Sequence, residues 1–470
     1  MLQNISKSQI MERIRFENPW WLNNQIDEDY RQMVQRPYFE LFKPLAFEKD
    51  PRRALVLMGP RRVGKTVMLH HLVAELLQAG INAKKIIFLT IENPIYINQS
   101  LEHLFEYARE ASGLKDKEDW FVIFDEIQYC RQWEVHLKTM VDAYRTSKFI
   151  VSGSAAAALK YKSNESGAGR FTDFLLPPLS FYEYIHLKKL NHLVVSTEKG
   201  EYTSTHMDEF NQHFMDYLNY GGYPEVIFSP SMQANPGRFI RHDIVDKVLL
   251  RDLPSLYGIQ DVQELNALFT SIAYNTANEF SYEELSRQSG VQKNTLKRYV
   301  EYLEAAFLIK LVKRIDHNGK RFQRDNFFKL YLTNPSMRSA LFSPLTPTDE
   351  SMGNMVETAI YSQWMHLLDY IPYYARWTNG EVDMVWLDKK LKPLLAVEVK
   401  WSNRYFDKPN ELKSLLKFCE ENNLKEVRVT TIDKQGDKNF KEITIDYFPA
   451  ASYAYSIGSD IIKIKKGQLI

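Results

Sequence analysis

At 470 residues, with 44% hydrophobic and 13% aromatic content, the chain is too long for one compact domain and too apolar for a disordered one. Its 60 Lys and Arg nearly balance 59 Asp and Glu, so the net charge of +1 excludes a global attraction to polyanions and leaves only local basic surfaces. Cys130 and Cys419 are its two cysteines, far apart and without metal-ligand spacing, which excludes a disulfide framework or structural zinc; no apolar run reaches bilayer length, and a cytoplasmic chain that meets no membrane is expected.

In chain order, residues 1–50 mix charge with Pro19-Trp20-Trp21 and Pro37-Tyr38-Phe39 and predict an arm of short helices packed on a larger body. From Arg53, apolar runs at Ala54–Met58, Ile86–Thr90, Trp120–Phe124 and Phe149–Ser152 alternate with helical stretches such as Val67–Gln78, which predicts an α/β fold on a parallel sheet over 51–190. Residues 191–260, with the punctuated turn Tyr220-Gly221-Gly222-Tyr223-Pro224, predict a helical lid. Helical patterns continue over 261–345, and 346–470 returns to mixed strands and helices.

Between the first strand and its helix lies Gly59-Pro60-Arg61-Arg62-Val63-Gly64-Lys65-Thr66, which fits G-x-x-x-x-G-K-[ST]. Glycines let several backbone N–H groups converge on phosphate oxygens, and the helix N-terminus adds a favourable dipole. In such a loop Lys65 neutralises the β- and γ-phosphates and Thr66 offers its hydroxyl to Mg²⁺, so ATP with magnesium is the expected ligand pair. A second part, Phe121-Val122-Ile123-Phe124-Asp125-Glu126, ends an apolar strand in acid: Asp125 to hold the metal, Glu126 to polarise water. A further strand ends in Ser152-Gly153-Ser154, where either hydroxyl, Ser154 foremost, is placed to sense a γ-phosphate or simply to turn the chain.

Further on, Ser281 and Glu284 have capping-box spacing before a helix, Ser289-Gly290 makes a turn, and Val291–Ile309 predicts a second helix. Gln292, Lys293, Asn294, Thr295, Lys297 and Arg298 at its start suit phosphates and base edges. Residues 291–329 hold ten Lys and Arg against four Asp and Glu, a local charge of +6 that points to DNA, although a lid or protein-docking role fits the same elements. In the last segment Val382-Asp383-Met384-Val385-Trp386 and Leu395-Ala396-Val397-Glu398-Val399-Lys400-Trp401 predict a hairpin with Glu398 and Lys400 on one face. With Asp383 alongside, the carboxylates can hold Mg²⁺ while Lys400 stabilises charge, an arrangement suited to phosphodiester hydrolysis.

The order of Gly59–Thr66, Asp125-Glu126, Gly153-Ser154, Gly169-Arg170, Pro178–Glu183 and Gly221–Glu225 resembles a prokaryotic family of AAA-type ATPases. That resemblance implies a P-loop core at 51–190, a lid at 191–260, a winged helix at 261–345 and a PD-(D/E)xK, restriction-endonuclease-like α/β domain at 346–470. It also implies Glu357 as an additional metal-holding acid beside Asp383 and Glu398, and Arg170, then Arg251, as a γ-phosphate-directed arginine, donated between subunits if the chain forms a homo-oligomer. Two functions follow as expectations: an ATPase acting on DNA with a nuclease-like effector, or an ATP-dependent switch that recruits a partner and cuts nothing.

Overall fold

The computed structural model describes residues 5–114, 119–154, 169–198, 200–318, 326–367, 370 and 372–468. Packing divides the chain into two units, Met1–Pro177 and Pro178–Ile470, so the segments expected at 191–260, 261–345 and 346–470 lie together in the second. Among the described residues no helix is long and apolar enough to cross a membrane. Cys130 and Cys419 are free and buried.

The first unit is built on β1 (Ala54–Gly59), β2 (Ile86–Thr90), β3 (Phe121–Asp125), β4 (Lys148–Ser154) and β5 (Phe171–Leu175). Their order is β2-β3-β4-β1-β5, with every neighbouring pair parallel. Strands buried on both faces must be apolar throughout, and β1 and β3 are buried at every residue. The helix Leu101–Ser112 shows why its segment is helical: Ser100 caps its start, Gly113 ends it in the left-handed region, and Leu101, Leu104, Phe105 and Ala108 form one buried stripe.

The amino-terminal arm forms helices at Lys7–Glu17, Trp20–Asn23, Glu28–Gln32 and Phe39–Phe47. It does more than pack, because it satisfies the outer side of edge strand β2. Asn18, fully buried, donates from Nδ2 to Phe88 O (2.9 Å) and accepts at Oδ1 from Phe88 N (2.8 Å), as a neighbouring strand would. Trp20 and Trp21 donate their indole N–H groups to Ile86 O at 3.0 and 2.9 Å, and Glu17 accepts from Thr90 N at 3.2 Å. Covering an edge in this way removes a template for unwanted strand pairing. Farther along the arm, Tyr30 stacks on His70, which also stacks on Phe88, at ring distances of 3.8 and 4.6 Å. Burial, with His71 adjacent, pulls the His70 pKa down to about 4, so this imidazole is neutral at pH 7.

The second unit contains a hairpin of β6 (Val195–Ser196) and β7 (Tyr202–Thr203), helices between Met207 and Tyr274, and then one nine-stranded mixed sheet. Its strands are β8 (Glu279–Ser281), β9 (Ile309–Ile315), β10 (Phe327–Leu332), β11 (Tyr373–Trp377), β12 (Gly380–Leu387), β13 (Pro393–Glu398), β14 (Glu426–Thr431), β15 (Gly436–Phe440) and β16 (Ile443–Pro449). The order β15-β16-β14-β13-β12-β11-β9-β10-β8 joins the strands of the two carboxy-terminal segments. The junction is the parallel pairing of β11 with β9, Tyr374 opposite Arg314 and Ala375 opposite Ile315.

Candidate functional site

Two groups of the expected residues are assembled, one in each unit. In the first, β1 delivers the chain into the loop Gly59–Thr66 and the helix Lys65–Gln78 leaves it. Gly59 is required by close approach, since a Cβ there would lie 2.3 Å from Leu176 O. Gly64 holds φ 93° immediately before the helix, a conformation L side chains rarely adopt. Lys65 is 5% exposed, and its ammonium donates to Gly59 O and Pro60 O at 3.1 and 2.9 Å, which folds the loop around its own cation. Arg61 reaches the Tyr129 hydroxyl at 3.4 Å, and Arg62 takes φ 61° at the loop's exposed crest.

Asp125 ends β3 directly beside this loop. Its Oδ2 accepts from the Thr66 hydroxyl at 2.7 Å, and its Oδ1 accepts from the Ser152 hydroxyl. Burial, reinforced by the neighbouring Glu126 charge, pushes Asp125 up to about 6; the Ser152 and Thr66 hydrogen bonds and the Lys65 charge act in the opposite direction. A buried carboxylate under that strain gains from a cation. The oxygens of Thr66 and Asp125 also suit one: ligands at about 2.0–2.1 Å from an octahedral magnesium stand about 3 Å apart.

Glu126 sits in the left-handed region at φ 57°, its N–H donating to Ser152 Oγ at 3.1 Å. Gln128 donates to the Glu126 carboxylate and accepts from Ser154 N at 3.2 Å, so one amide ties the acid to the end of β4. Ser154 Oγ is buried without a hydrogen-bond partner among the described residues, whereas Ser152 is committed to Asp125. Of the two hydroxyls, Ser154 is thus the one left for a ligand.

Arg170 is not brought to this loop within its own chain. Its carbonyl accepts from Ala54 N, at the start of β1, while the loop begins at Gly59; five extended residues span about 17 Å. Its side chain pairs instead with Asp142 at 2.6 Å.

Two residues of this site carry no signal in the linear motifs. Arg36, 6% exposed, donates to Val63 O at 2.7 Å and to Pro177 O at 3.1 Å, pinning the phosphate loop to the arm. Gln128 is the other; its proximity to the acid pair was a clue, but its role depends on reaching β4.

In the second unit the β12–β13 register pairs Met384 with Val397, so the next position sets Asp383 beside Glu398. Val399 N donates to Asp383 Oδ2 at 2.8 Å. Lys400, beyond the end of β13, lies 2.8 Å from Glu398 Oε1 and 3.5 Å from Asp383 Oδ2, its backbone held by Thr430 on β14. Glu357, on the helix Met352–Trp364, is differently engaged from the expected metal-holding role: its Oε1 accepts from Lys329 Nζ at 2.9 Å and from the Tyr331 hydroxyl at 2.6 Å. Burial raises Glu357 and Glu398 above the ordinary carboxylate range, with Asp383 adding to both and the lysines opposing. Burial alone would lower Lys329 and Lys400, but the surrounding acids hold both well above the usual ammonium value. Among the described residues no three His, Cys, Asp or Glu side chains are grouped to hold a metal ion, so Glu357, Asp383 and Glu398 do not form a three-acid cage here.

The basic segment has the expected helices at Tyr282–Ser289 and Lys293–Ala305, the second shorter than the pattern predicts. Ser281 caps through Glu284 N at 3.1 Å; the Glu284 side chain is instead bonded by Gln288. Gln292, Lys293, Asn294, Lys297 and Arg298 are exposed and Thr295 is half-buried. Lys293 pairs with Glu283, and Lys297 lies over the Tyr282 ring. The part of the basic stretch at 319–325 lies outside the described residues.

Residues 51–185 match a family described as "AAA domain", and residues 211–349 match a domain of unknown function, DUF8612. An uncharacterised protein of Haemophilus influenzae is 25% identical over 298 residues, covering 62% of this chain and 70% of that protein. An uncharacterised protein of Methanocaldococcus jannaschii is 20% identical over 342 residues, covering 70% of this chain and 68% of the other. Among solved structures, the Aeropyrum pernix ORC1 protein in complex with DNA matches at 11% identity and a TM-score of 0.34, over 68% of this chain and 95% of that one. Residues 51–185 thus match an AAA domain, the stretch that contains the Gly59–Thr66 loop and Asp125.

Proposed function

We propose that this chain is a magnesium-dependent ATPase that acts on DNA, with a nuclease-like centre in its second unit. The observation that carries the ATPase reading is the Thr66–Asp125 contact at 2.7 Å beside the buried Lys65 ammonium, because it joins the phosphate cradle to the acid of the next strand. Thr66 and Asp125 are the residues that would hold magnesium, which when bound neutralises developing phosphate charge. Lys65 offers a point charge to the phosphates, backbone N–H groups of Gly59–Thr66 cradle them, and Ser154 offers a hydroxyl from β4. Glu126, held by Gln128, orients the attacking water and accepts its proton.

Lys65→Ala tests the cradle. Charge-assisted hydrogen bonds are worth roughly 1.5–3 kcal/mol each, so the variant is expected to bind a fluorescent ATP analogue about 10- to 150-fold more weakly. Wild-type affinity in the folded variant would remove the loop from nucleotide binding.

Support for the DNA reading comes from the exposed start of the helix Lys293–Ala305, where Lys293, Lys297 and Arg298 share the surface with Gln292 and Asn294. Its mark is salt dependence: each phosphate contact contributes about 0.9 to the slope of log affinity against log salt. Neutralising all three cations is expected to flatten that slope by about 2 to 3 and weaken binding to every sequence. A gel shift insensitive to salt would count against DNA as the partner. The nuclease-like reading is supported by the side-by-side placement of Asp383, Glu398 and Lys400 at the open end of the β12–β13 pair.

A further inference from the structure

The acidic centre of the second unit includes a cation from outside the expected pattern. Lys329 enters from β10, separated from β13 by three intervening strands in the sheet order, and is 3% exposed at its side chain. Its ammonium lies 2.9 Å from Glu357 Oε1 and 2.6 Å from Glu381 Oε1, and Glu381 in turn meets Arg376 at 3.1 Å. Resting on the reading of this centre as a metal site, we infer that Lys329 is a resident cation in place of a second metal, so that the centre takes one divalent ion between Asp383 and Glu398.

The carboxylates divide into two sets by their engagements. Glu357 Oε1 carries two hydrogen bonds, both from β10 side chains, Lys329 and Tyr331. Glu398, 8% exposed, has one oxygen on Lys400 and the other, Oε2, buried with no hydrogen-bond partner among the described residues. A buried carboxylate oxygen without a donor is destabilising, and a hard divalent cation satisfies it where a protein donor does not. Asp383 stands beside it, its Oδ2 oriented by Val399 N.

Charge and mobility also separate the two lysines. Glu357, Glu381, Asp383 and Glu398 against Lys329, Lys400 and Arg376 leave one formal negative charge, and two once Lys400 withdraws, which one divalent ion balances and two would exceed. Lys400 follows the end of its strand with a side chain 27% exposed, so it can withdraw toward solvent as an ion enters. Lys329 lies inside β10, between β8 and β9, with its side chain buried, and has no such exit. The cation at Glu357 is therefore built in, while the one at Glu398 is exchangeable.

The test is the number of Mn²⁺ ions bound by the full-length, nucleotide-free protein at saturation, counted by electron paramagnetic resonance and by calorimetry. Wild type is expected to bind one ion that Asp383→Asn abolishes. Glu357→Gln should leave that count at one, and Lys329→Met should raise it to two, the second ion disappearing again in the Lys329→Met, Glu357→Gln double variant. Two Asp383-dependent ions in wild type, loss of the ion in Glu357→Gln, or a count of one in folded Lys329→Met would each overturn the resident-cation inference while leaving the metal reading intact. If wild type binds no Asp383-dependent Mn²⁺, the metal reading fails and the inference fails with it. Should Lys329→Met not fold, the wild-type count and Glu357→Gln decide the matter.

Discussion

Glu126→Gln is expected to bind ATP as wild type does and to hydrolyse it about 10²- to 10⁴-fold more slowly, the range associated with loss of a positioned general base. Glutamine preserves the shape of the side chain, and the local backbone is fixed independently by Ser152 Oγ on the Glu126 N–H. Its terminal amide can still bond Gln128 through its oxygen, but it cannot accept a proton from water. Holding a non-glycine residue at φ 57° costs on the order of 1–3 kcal/mol, and the surrounding hydroxyl and amide contacts keep Glu126 there. Single-turnover phosphate release, measured beside equilibrium binding of a labelled nucleotide, separates chemistry from affinity. Turnover at the wild-type rate would reduce Glu126 to an acid at the end of a strand.

Asn18→Ala is expected to destabilise the first unit by about 2–6 kcal/mol, although it lies far from any motif. The variant removes the bonds to Ile14 O, Phe88 O and Phe88 N, and the last two groups belong to a fully buried stretch of edge strand. Each buried backbone group left unpaired costs roughly 1–3 kcal/mol, more than the bond itself contributes when both partners are solvated. Denaturant unfolding gives the total. Amide exchange gives the location, with Phe88 and its neighbours on β2 expected to lose protection first. A loss below about 0.5 kcal/mol, the range of ordinary surface substitutions, would show that water or a shift of the arm satisfies Phe88 instead.

How much of this was legible in the sequence follows from how local each interaction is. Lys65 and Thr66 are adjacent, lie in one loop, and owe their placement to Gly59, Gly64 and the flanking strand and helix, so the motif carries its own geometry. Asp125 was visible because an apolar strand ending in acid is recognisable without its neighbours. Glu398 and Lys400 were visible as a pair because alternation along a strand has period two, whereas Asp383 beside Glu398 depended on the hairpin register, which puts them side by side. The roles of Asn18, Arg36 and Lys329 were not legible: their partners lie 70, 141 and 28 positions away. For Asn18 and Arg36 those partners are backbone groups, which have no residue identity to read. Glu357 shows the converse. Its place on a helix before the hairpin was apparent, but β10 supplies the two donors that engage it, and nothing in the local pattern indicates that strand pairing.

The β9–β11 pairing has a mechanical consequence. The helix Lys293–Ala305 leads through a three-residue connection into β9, and β9 is hydrogen-bonded to the strand next to β12, which carries Asp383. No swivel separates them. On the proposed DNA reading, a duplex gripped at Lys293, Lys297 and Arg298 would be presented to the acid–lysine centre as work is presented by a jig, at one offset and one angle, with the distance between the place that is read and the place that is reached set by the width of a sheet.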